Sequence, residues 1–434
     1  MRIRENFQDI FSQYLEAAKN PAVKKSLVAA ANRADFAMSE AVASDIVPQY
    51  SLQKILRPLY SKGEPQRPDI GDHPDFKHLL GTAQTVYCPI TTMFMDIESS
   101  TRLSLLYPLE DVRRIKNAFI RTAMEIIKSF DGHVHRVMGD AVMAYFGGLH
   151  ATPEMGVVDG LNCASILCYI VENSIIPKLK ELGYETDFGI RIGLDFGKKE
   201  EVLWSSYGYP GMEEVTATSL FVDLASKLQN AAGRNQIMMG ESLRSFIDFP
   251  DELLAVKTVT TDNGKQLVPY VMPNHTNKEG KPINYKQHIF EWEAYLKYSP
   301  IARYDRKLIP IGEGLIVVAE IYSDKNGIFE KQYNPCSEML PKHKAIKFKV
   351  TLSFMPMLPY NVKFTVENHG EEARIFDSSS LGNHSETKTI TSEKEHSNIY
   401  YWDYSAFRGM HYLIIEVHTH RGLQYKHLFG VFVE

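Results

Sequence analysis

The dipeptide Gly139-Asp140 constrains the fold of this chain more than any other feature of its sequence. It separates two mainly apolar runs, 133–138 and 141–147, whose composition is typical of β-strands. Because Gly-Asp tolerates the positive φ of a tight primed turn, the two runs are predicted to form a hairpin. A carboxylate is therefore expected at the hairpin tip.

A second aspartate is expected at the end of another strand. Residues 92–97 form a short apolar run that delivers Asp96, and a polar break at 98–101 then opens a helix. Two aspartates presented by strand ends suit a paired site for hard cations. The alternative is that one aspartate only caps a helix and Asp140 only serves its turn.

Helices and strands alternate around these aspartates. Apolar residues recur at three-to-four spacing from 110 to 130, which predicts a helix between the two strand groups. This order matches the first half of a ferredoxin-like βαββαβ unit, in one domain over residues 84–255, so the predicted fold class is α+β. The later predicted elements are a helix at 153–182, a strand at 188–197 with 201–206 as its partner, a helix at 216–231 and a strand at 236–239.

Four blocks of this stretch resemble the catalytic domain of the class III nucleotidyl cyclases, the adenylate and guanylate cyclase family. Each block alone is common, but their occurrence together and in the family's order makes the resemblance specific. The blocks are Met95-Asp96-Ile97, Arg136-Val137-Met138-Gly139-Asp140, residues 190–197 and residues 223–229.

The resemblance implies that Asp96, Asp140 and the backbone carbonyl of Ile97 hold two Mg²⁺ or Mn²⁺ ions against a nucleoside triphosphate. Oxygen ligands select hard divalent cations, which can activate the ribose 3′-hydroxyl and neutralise the departing pyrophosphate. Arg191 is expected to contact the triphosphate, and a purely structural arginine is the alternative.

The base-reading positions depart from the purine cyclases that the chain resembles. Those enzymes carry lysine or glutamate before the second metal aspartate, and aspartate or cysteine before the helix asparagine. Arg136 and Thr216 stand there in this chain. A guanidinium offers donors and no acceptor, so it suits the keto oxygens of a pyrimidine. UTP is the favoured substrate, and CTP is the alternative because cytosine also presents acceptors at its 2-keto and N3 positions.

The transition-state positions on the last long helix also depart from the family. Asp223 stands where the family has asparagine, and Lys227 where it has arginine. Lys227 can still neutralise phosphate as a point charge. Asp223 either holds the ribose, binds metal or pairs with Lys227 at i,i+4 spacing. Because family domains place these positions opposite the partner's metal aspartates, a chain with one such domain is predicted to be a homodimer.

The N-terminal flank, residues 1–80, is interpreted as a helical segment. It either braces the dimer or brings the segment Pro48-Gln49-Tyr50, or Tyr60, over the nucleotide pocket, where an aromatic ring would leave room only for a pyrimidine. Residues 256–311 are interpreted as a linker.

The C-terminal flank, residues 312–434, contains short alternating runs that indicate a β-sandwich. It resembles the AGS-C sensor domain that follows cyclases in bacterial anti-phage operons, and a sandwich that only braces the dimer is the alternative. One cluster of side chains is expected either to read a ligand or to lie in the core: Trp402, Tyr404, Phe407, Arg408 and His411.

Composition excludes several classes of protein. The net charge of −5 argues against a nucleic-acid partner. The sequence has no signal-peptide core and no apolar run of membrane-spanning length, so a cytoplasmic protein without a membrane partner is predicted. The two resemblances together suggest a Pycsar-type pyrimidine cyclase whose cyclic nucleotide acts on an effector protein. A purine cyclase and a catalytically inactive nucleotide-binding sensor are the alternatives.

Overall fold

Helices and strands alternate through the first two thirds of the chain, and strands dominate the last third. The computed structural model describes residues 3–17, 50–185, 187–261, 264–277 and 279–434. The helices are α1 (Ile3–Ala17), α2 (Ser51–Leu59), α3 (Ser100–Leu106), α4 (Leu109–Ser129), α5 (Pro153–Ile170), α6 (Ile176–Glu181), α7 (Leu220–Ala231), α8 (Glu241–Phe246), α9 (Trp292–Leu296), α10 (Glu371–Phe376) and α11 (Glu393–His396).

The strands fall into five sheets. Those of the first two thirds are β1 (Val86–Tyr87), β2 (Ile90–Glu98), β3 (His133–Met138), β4 (Ala141–Phe146), β5 (Gly189–Gly197), β6 (Leu203–Tyr209), β7 (Met212–Thr218), β8 (Gln236–Gly240), β9 (Leu254–Ala255), β10 (Thr258–Thr261), β11 (Gly264–Leu267), β12 (Tyr270–Thr276) and β13 (Pro282–Phe290). The others are β14 (Leu315–Tyr322), β15 (Phe329–Tyr333), β16 (Met339–Leu340), β17 (Ala345–Leu352), β18 (Tyr360–Glu367), β19 (His384–Ile390), β20 (Ile399–Tyr404), β21 (Gly409–Thr419) and β22 (Gly422–Val433).

An eight-stranded sheet forms the centre of the first two thirds of the described chain. Its strands lie in the order β12-β13-β8-β5-β2-β4-β3, and β9 also pairs with β13. The strands β5-β2-β4-β3, which end at the β3 edge of the sheet, have the order of a ferredoxin-like unit with α4 and α5 as the crossover helices. The predicted α+β class with a ferredoxin-like catalytic domain is confirmed.

The hairpin that carries Asp140 is present as predicted. β3 and β4 pair antiparallel, and Met138 lies opposite Ala141. Gly139 has a φ of 68°, and a Cβ added to it would meet no atom within 4 Å. The turn therefore favours glycine for its backbone conformation and not for lack of space.

A three-stranded sheet, β1-β6-β7, corrects two of the predictions. The run expected to pair with β5 belongs to β6, which pairs with β1 and β7. Part of the predicted helix is strand β7, in which Val215 and Ala217 are buried. Helix α7 begins only after Ser219, whose hydroxyl accepts a hydrogen bond from the Phe221 amide at 3.2 Å.

The stretch predicted as a linker, 256–311, contains two strands of the central sheet, so that prediction is wrong. β12 pairs with β13, and β13 pairs with β8, with Ile289 opposite Met238. The polar composition that suggested a linker belongs to β12, an edge strand whose second half is exposed. Phe290 at the inner end of β13 is fully buried.

Two sheets pack face to face after residue 312. Their orders are β15-β14-β17-β20 and β16-β22-β21-β18-β19. Strands β17 and β18 bury every second side chain, which is the alternation of a β-sandwich. The rings of Phe364 and Tyr401 stack at 4.9 Å between the two sheets. The sandwich is present, and the exact boundaries between domains stay predictions.

The cluster singled out in the C-terminal domain does not form one surface. Tyr404 is 47% exposed, whereas His411 is buried and its Nε2 lies 2.7 Å from the Phe407 carbonyl oxygen. Arg408 turns towards the catalytic domain and donates to the Phe246 carbonyl at 2.8 Å. The cluster therefore divides between the surface, the interior and a contact between domains.

One described stretch, Pro153–Glu181, is long and apolar enough to cross a membrane by length and composition. The stretch was predicted as a helix but not as one of membrane-spanning length, because polar residues interrupt its apolar run. Its most apolar window is 89% buried inside the protein, where α5 packs against β2, β4 and β5. It has the environment of a core helix.

Candidate active site

Asp96 and Asp140 lie at the same edge of the central sheet. Asp96 is near the end of β2, and Asp140 closes the turn between β3 and β4. β2 and β4 are neighbours with Met95 opposite Val142, so the same register brings the two aspartates together. Their side chains are 18% and 20% exposed, which leaves both within reach of a ligand.

The backbone carbonyl of Ile97 faces the same side of β2 as Asp140. Ile97 lies opposite Ile190 of β5, but Ile190 directs its own backbone groups away from β2, to Asn235. Paired residues in an antiparallel ladder either exchange both backbone bonds or turn both pairs of groups outward. Ile97 therefore points its carbonyl away from β5 and towards the hairpin.

Two basic side chains neutralise these carboxylates. Arg191 lies opposite Asp96 in the register, and its Nε and Nη2 donate to the two carboxylate oxygens at 2.9 and 2.5 Å. The Lys116 Nζ lies 3.5 Å from Asp140 Oδ1. The hydrogen bond to Asp96 raises the pKa of Arg191 against the effect of burial, and the charge of Asp140 adds to the rise.

The donors at this edge fit hard divalent cations. They are two carboxylates and a backbone carbonyl, all oxygen, and Mg²⁺ is commonly held by one or two carboxylates with waters and substrate phosphates. Throughout the described ranges, no group of three or more His, Cys, Asp and Glu side chains could hold a metal ion alone. Further ligands would have to come from a phosphate substrate or from water.

Arg136 and Thr216, the two residues predicted to read the base, lie together on the face of the hairpin next to β7. Arg136 on β3 forms an ion pair with Glu214 on β7. Thr216, two residues further along β7, lies with its hydroxyl 3.4 Å from that of Tyr145 on β4. Alternation along β7 puts Glu214 and Thr216 on one face of that strand.

Glu214 and Tyr145 were missed because their positions depend on strand pairing. Recognition of 212–218 as a strand would have placed Glu214 beside Thr216, but its sequence was assigned in part to the following helix. Tyr145 is fully buried, and burial raises its pKa. The negative charge of Asp223 raises that pKa further, whereas Arg136 lowers it, so both side chains lie near the phenol.

Asp223 and Lys227 project from α7 as exposed side chains. No ion pair joins them in the part of the chain that the structure describes, so i,i+4 pairing does not account for them. Asp223 lies near Tyr145 and is therefore grouped with Arg136, Thr216 and Tyr145. No hydrogen bond or ion pair between described residues connects this group with the Asp96 edge.

Tyr50 lies apart from both groups. It precedes α2 with a φ of 60°, and the next turn of α2 is fixed by the Leu52 amide, which donates to Glu125 of α4 at 3.0 Å. No hydrogen bond or ring contact joins Tyr50 to Arg136 or Thr216 within the described ranges. Pro48 and Gln49, which were predicted to act with it, lie outside the described residues.

Comparison with known proteins agrees with both halves of this architecture. Residues 291–434 match the model of the AGS_C family, the adenylyl/guanylyl and SMODS C-terminal sensor domain. That match begins before the predicted sandwich and includes α9.

Three curated relatives extend over most of the chain. A protein of Escherichia coli named cytidylate cyclase is 32% identical over 99% of this chain and 100% of its own length. A second from the same species, with the same name, is 34% identical over 95% of this chain and 86% of its own length. A cytidylate cyclase of Staphylococcus aureus is 36% identical over 74% of each chain.

The chain belongs to the class III nucleotidyl cyclases. Within that class it belongs with the bacterial Pycsar-type cyclases that carry a C-terminal AGS_C domain. It is a nucleotide cyclase.

Proposed function

We propose that this chain cyclises cytidine triphosphate to 3′,5′-cyclic CMP and pyrophosphate. The product would be a second messenger for a cyclic-nucleotide-responsive effector in cytoplasmic anti-phage defence, as the resemblance to Pycsar-type cyclases implies. The preference for UTP in the sequence analysis rested on Arg136 alone. Glu214 beside it, together with the names of the three relatives, favours CTP.

The paired donor and acceptor at the base position carry this proposal. Cytosine presents an N4 amino donor beside the N3 and O2 acceptors, whereas uracil presents a keto acceptor at position 4. The Arg136 guanidinium only donates and the Glu214 carboxylate only accepts. The two side chains can thus bind the N3 or O2 edge and the amino group of cytosine at once.

The Asp96 edge would hold two Mg²⁺ or Mn²⁺ ions through Asp96, Asp140 and the Ile97 carbonyl. Bound divalent ions supply an acidified 3′-hydroxyl and charge compensation for the leaving pyrophosphate. Arg191 and Lys116 neutralise the two carboxylates in the free protein. When metal ions occupy the carboxylates, the guanidinium and the ammonium group would become available to triphosphate oxygens. The Arg191 guanidinium suits this role because its planar fork binds phosphate as well as carboxylate.

Each chain would contribute one half to each of two sites in a homodimer. The metal edge and the group formed by Arg136, Thr216 and Asp223 share no polar contact in one chain, which supports their belonging to different sites. Lys227, exposed on α7, would face the triphosphate held by the partner and stabilise charge on it. Tyr50 would approach the base only in the assembled dimer.

A panel of the four ribonucleoside triphosphates with Mn²⁺ tests the substrate. Purified full-length protein is expected to release pyrophosphate and a cyclic nucleotide mainly from CTP, as measured by chromatography and mass spectrometry. Asp140→Asn should abolish turnover of every triphosphate. Preferential use of UTP would contradict the role of Glu214, use of ATP or GTP would contradict pyrimidine recognition, and no turnover would favour the nucleotide-binding sensor.

Mixing two inactive variants tests the shared site. Asp140→Ala and Lys227→Ala chains, combined in equal amounts and allowed to exchange subunits, should form heterodimers with one intact site. Random pairing makes half of the dimers mixed, so about a quarter of the wild-type activity is expected. Absence of recovery, with subunit exchange shown by native mass spectrometry, would contradict the arrangement.

A further inference from the structure

A cleft outside the active site lies where the C-terminal sandwich meets α2 and the turn at 300–304. It consists of a cavity of about 470 Å³ and a neighbouring cavity of about 250 Å³. The two cavities are the larger and the smaller lobe of the cleft. Arg303, Tyr304 and His427 line both lobes and form the waist between them. The larger lobe alone has the volume of a typical small-molecule site.

The larger lobe has an excess of positive charge. Arg306 pairs with Glu313 in its wall, and the Lys426 Nζ lies 3.1 Å from Glu416 Oε1. Arg303 has no carboxylate at ion-pair distance among the residues the structure describes. A concave site that contains an uncompensated cation attracts an anion.

His427 and Tyr304 supply the remaining polar and aromatic surface of the waist. Burial, with the nearby charge of Arg303, lowers the pKa of His427 to about 4, so the imidazole is neutral at pH 7. It forms no hydrogen bond with other described residues and can donate to or accept from a ligand. The Tyr304 ring is 42% exposed, with the Arg303 guanidinium 5.7 Å from its centroid.

The smaller lobe is mainly apolar, and its walls are fixed. The Asn334 amide donates to the Pro58 carbonyl at 3.2 Å, which joins the sandwich to α2. The neighbouring Arg57 donates to the Lys128 carbonyl and to Asp131 at 2.8 Å each, which fixes α2 to the end of α4. The apolar lining comprises Pro58, Leu59, Pro300, Val317, Pro335 and Phe429.

We propose that this cleft binds a nucleoside phosphate. The phosphate lies against Arg303 and His427, and the base occupies the apolar lobe beside Tyr304. The two lobes differ as the two ends of such a ligand differ, one anionic and the other a flat ring with apolar faces. The inference does not rest on the substrate proposed for the active site, because the cleft shares no residue with it.

Hydrogen–deuterium exchange of the full-length chain, with EDTA and without divalent ions, tests the site. The probes are CMP and, as an anion that lacks a base, inorganic pyrophosphate. CMP is expected to slow exchange in peptides covering 299–316 and 424–429. Pyrophosphate is expected to do so only at concentrations at least tenfold higher, because it cannot fill the apolar lobe.

Three variants make the test specific. Arg303→Gln should weaken CMP protection of these peptides tenfold or more, because a charge-assisted hydrogen bond is lost. Arg303→Lys, which keeps the charge, should restore part of the protection by CMP. Arg421→Gln removes an exposed arginine from the turn between β21 and β22 and should leave binding unchanged. Thermal unfolding of each variant shows that it is folded.

Four outcomes would overturn the proposal. They are no protection of these peptides by CMP, protection only around Asp96 and Asp140, equal protection by pyrophosphate and CMP, and unchanged binding to folded Arg303→Gln.

Discussion

Asp195 on β5 is a buried carboxylate whose replacement should change how stability depends on pH. Its side chain is fully buried and accepts hydrogen bonds from the Tyr285 hydroxyl at 2.7 Å, the Phe196 amide at 2.9 Å and the Leu243 amide at 3.4 Å. No cation lies within ion-pair distance of it among the described residues. The substitution Asp195→Asn keeps the shape and removes the ionisation.

The size of the effect follows from the pKa. Burial raises the pKa of Asp195 from 3.8 to about 7, although the hydrogen bonds from Tyr285, Phe196 and Leu243 oppose the rise. The native state therefore binds this proton more tightly than the unfolded state, and stability falls as the pH rises from about 4 to about 7. With about 1.4 kcal/mol for each tenfold change, the full cost is about 4 kcal/mol, of which about 3 kcal/mol develops between pH 5 and 8.

Urea unfolding of wild type and Asp195→Asn at pH 5 and pH 8, followed by circular dichroism, measures this cost. The free energy of unfolding of the variant should rise relative to wild type by about 3 kcal/mol between the two pH values. Asp187→Asn, at a side chain 69% exposed just before the same strand, is the control and should show no such trend. A difference between wild type and Asp195→Asn that is the same at both pH values would refute the reasoning.

Three further substitutions test other contacts. Glu214→Gln should lower the ratio of kcat/KM for CTP over UTP about tenfold, because the acceptor for the cytosine amino group loses its charge. An unchanged ratio in steady-state assays would show that Glu214 does not read the base. Arg57→Ala should destabilise the protein by about 1–3 kcal/mol in urea unfolding, because its hydrogen bonds to the Lys128 carbonyl and to Asp131 are lost. An unchanged free energy of unfolding would contradict this. Gly409→Ala should lower the thermal midpoint more than Gly422→Ala, because only the former puts a Cβ 2.9 Å from the Asp248 carbonyl oxygen. Equal shifts would mean that backbone strain alone destabilises both variants.

The meeting of Asp96 and Asp140 could be predicted from the sequence because each aspartate is specified locally. Asp140 depends on a two-residue turn, and Asp96 depends on a short apolar strand and the polar break after it. The helix between them sets the crossover that makes their strands neighbours. Ile97 followed from the family resemblance, and the register of β2 with β5 turns its carbonyl towards the hairpin.

Glu214 and the strands at 270–290 could not be predicted in the same way because they depend on distant pairing. β7 is a strand because it pairs with β6, and it begins with an exposed methionine and two half-buried glutamates. β12 and β13 likewise join the sheet through β8, while most of the β12 surface remains in solvent. A half-exposed edge strand and a polar loop have similar composition, and only the tertiary contact distinguishes them.

The strand β5 connects the AGS_C domain to the Asp96 edge through a series of side-chain contacts. Arg408 binds the last carbonyl of α8 at Phe246, whose ring packs 4.4 Å from that of Phe196 on β5. The same strand carries Arg191, which holds both oxygens of Asp96. These contacts join the C-terminal domain, through α8 and β5, to the arginine that holds Asp96.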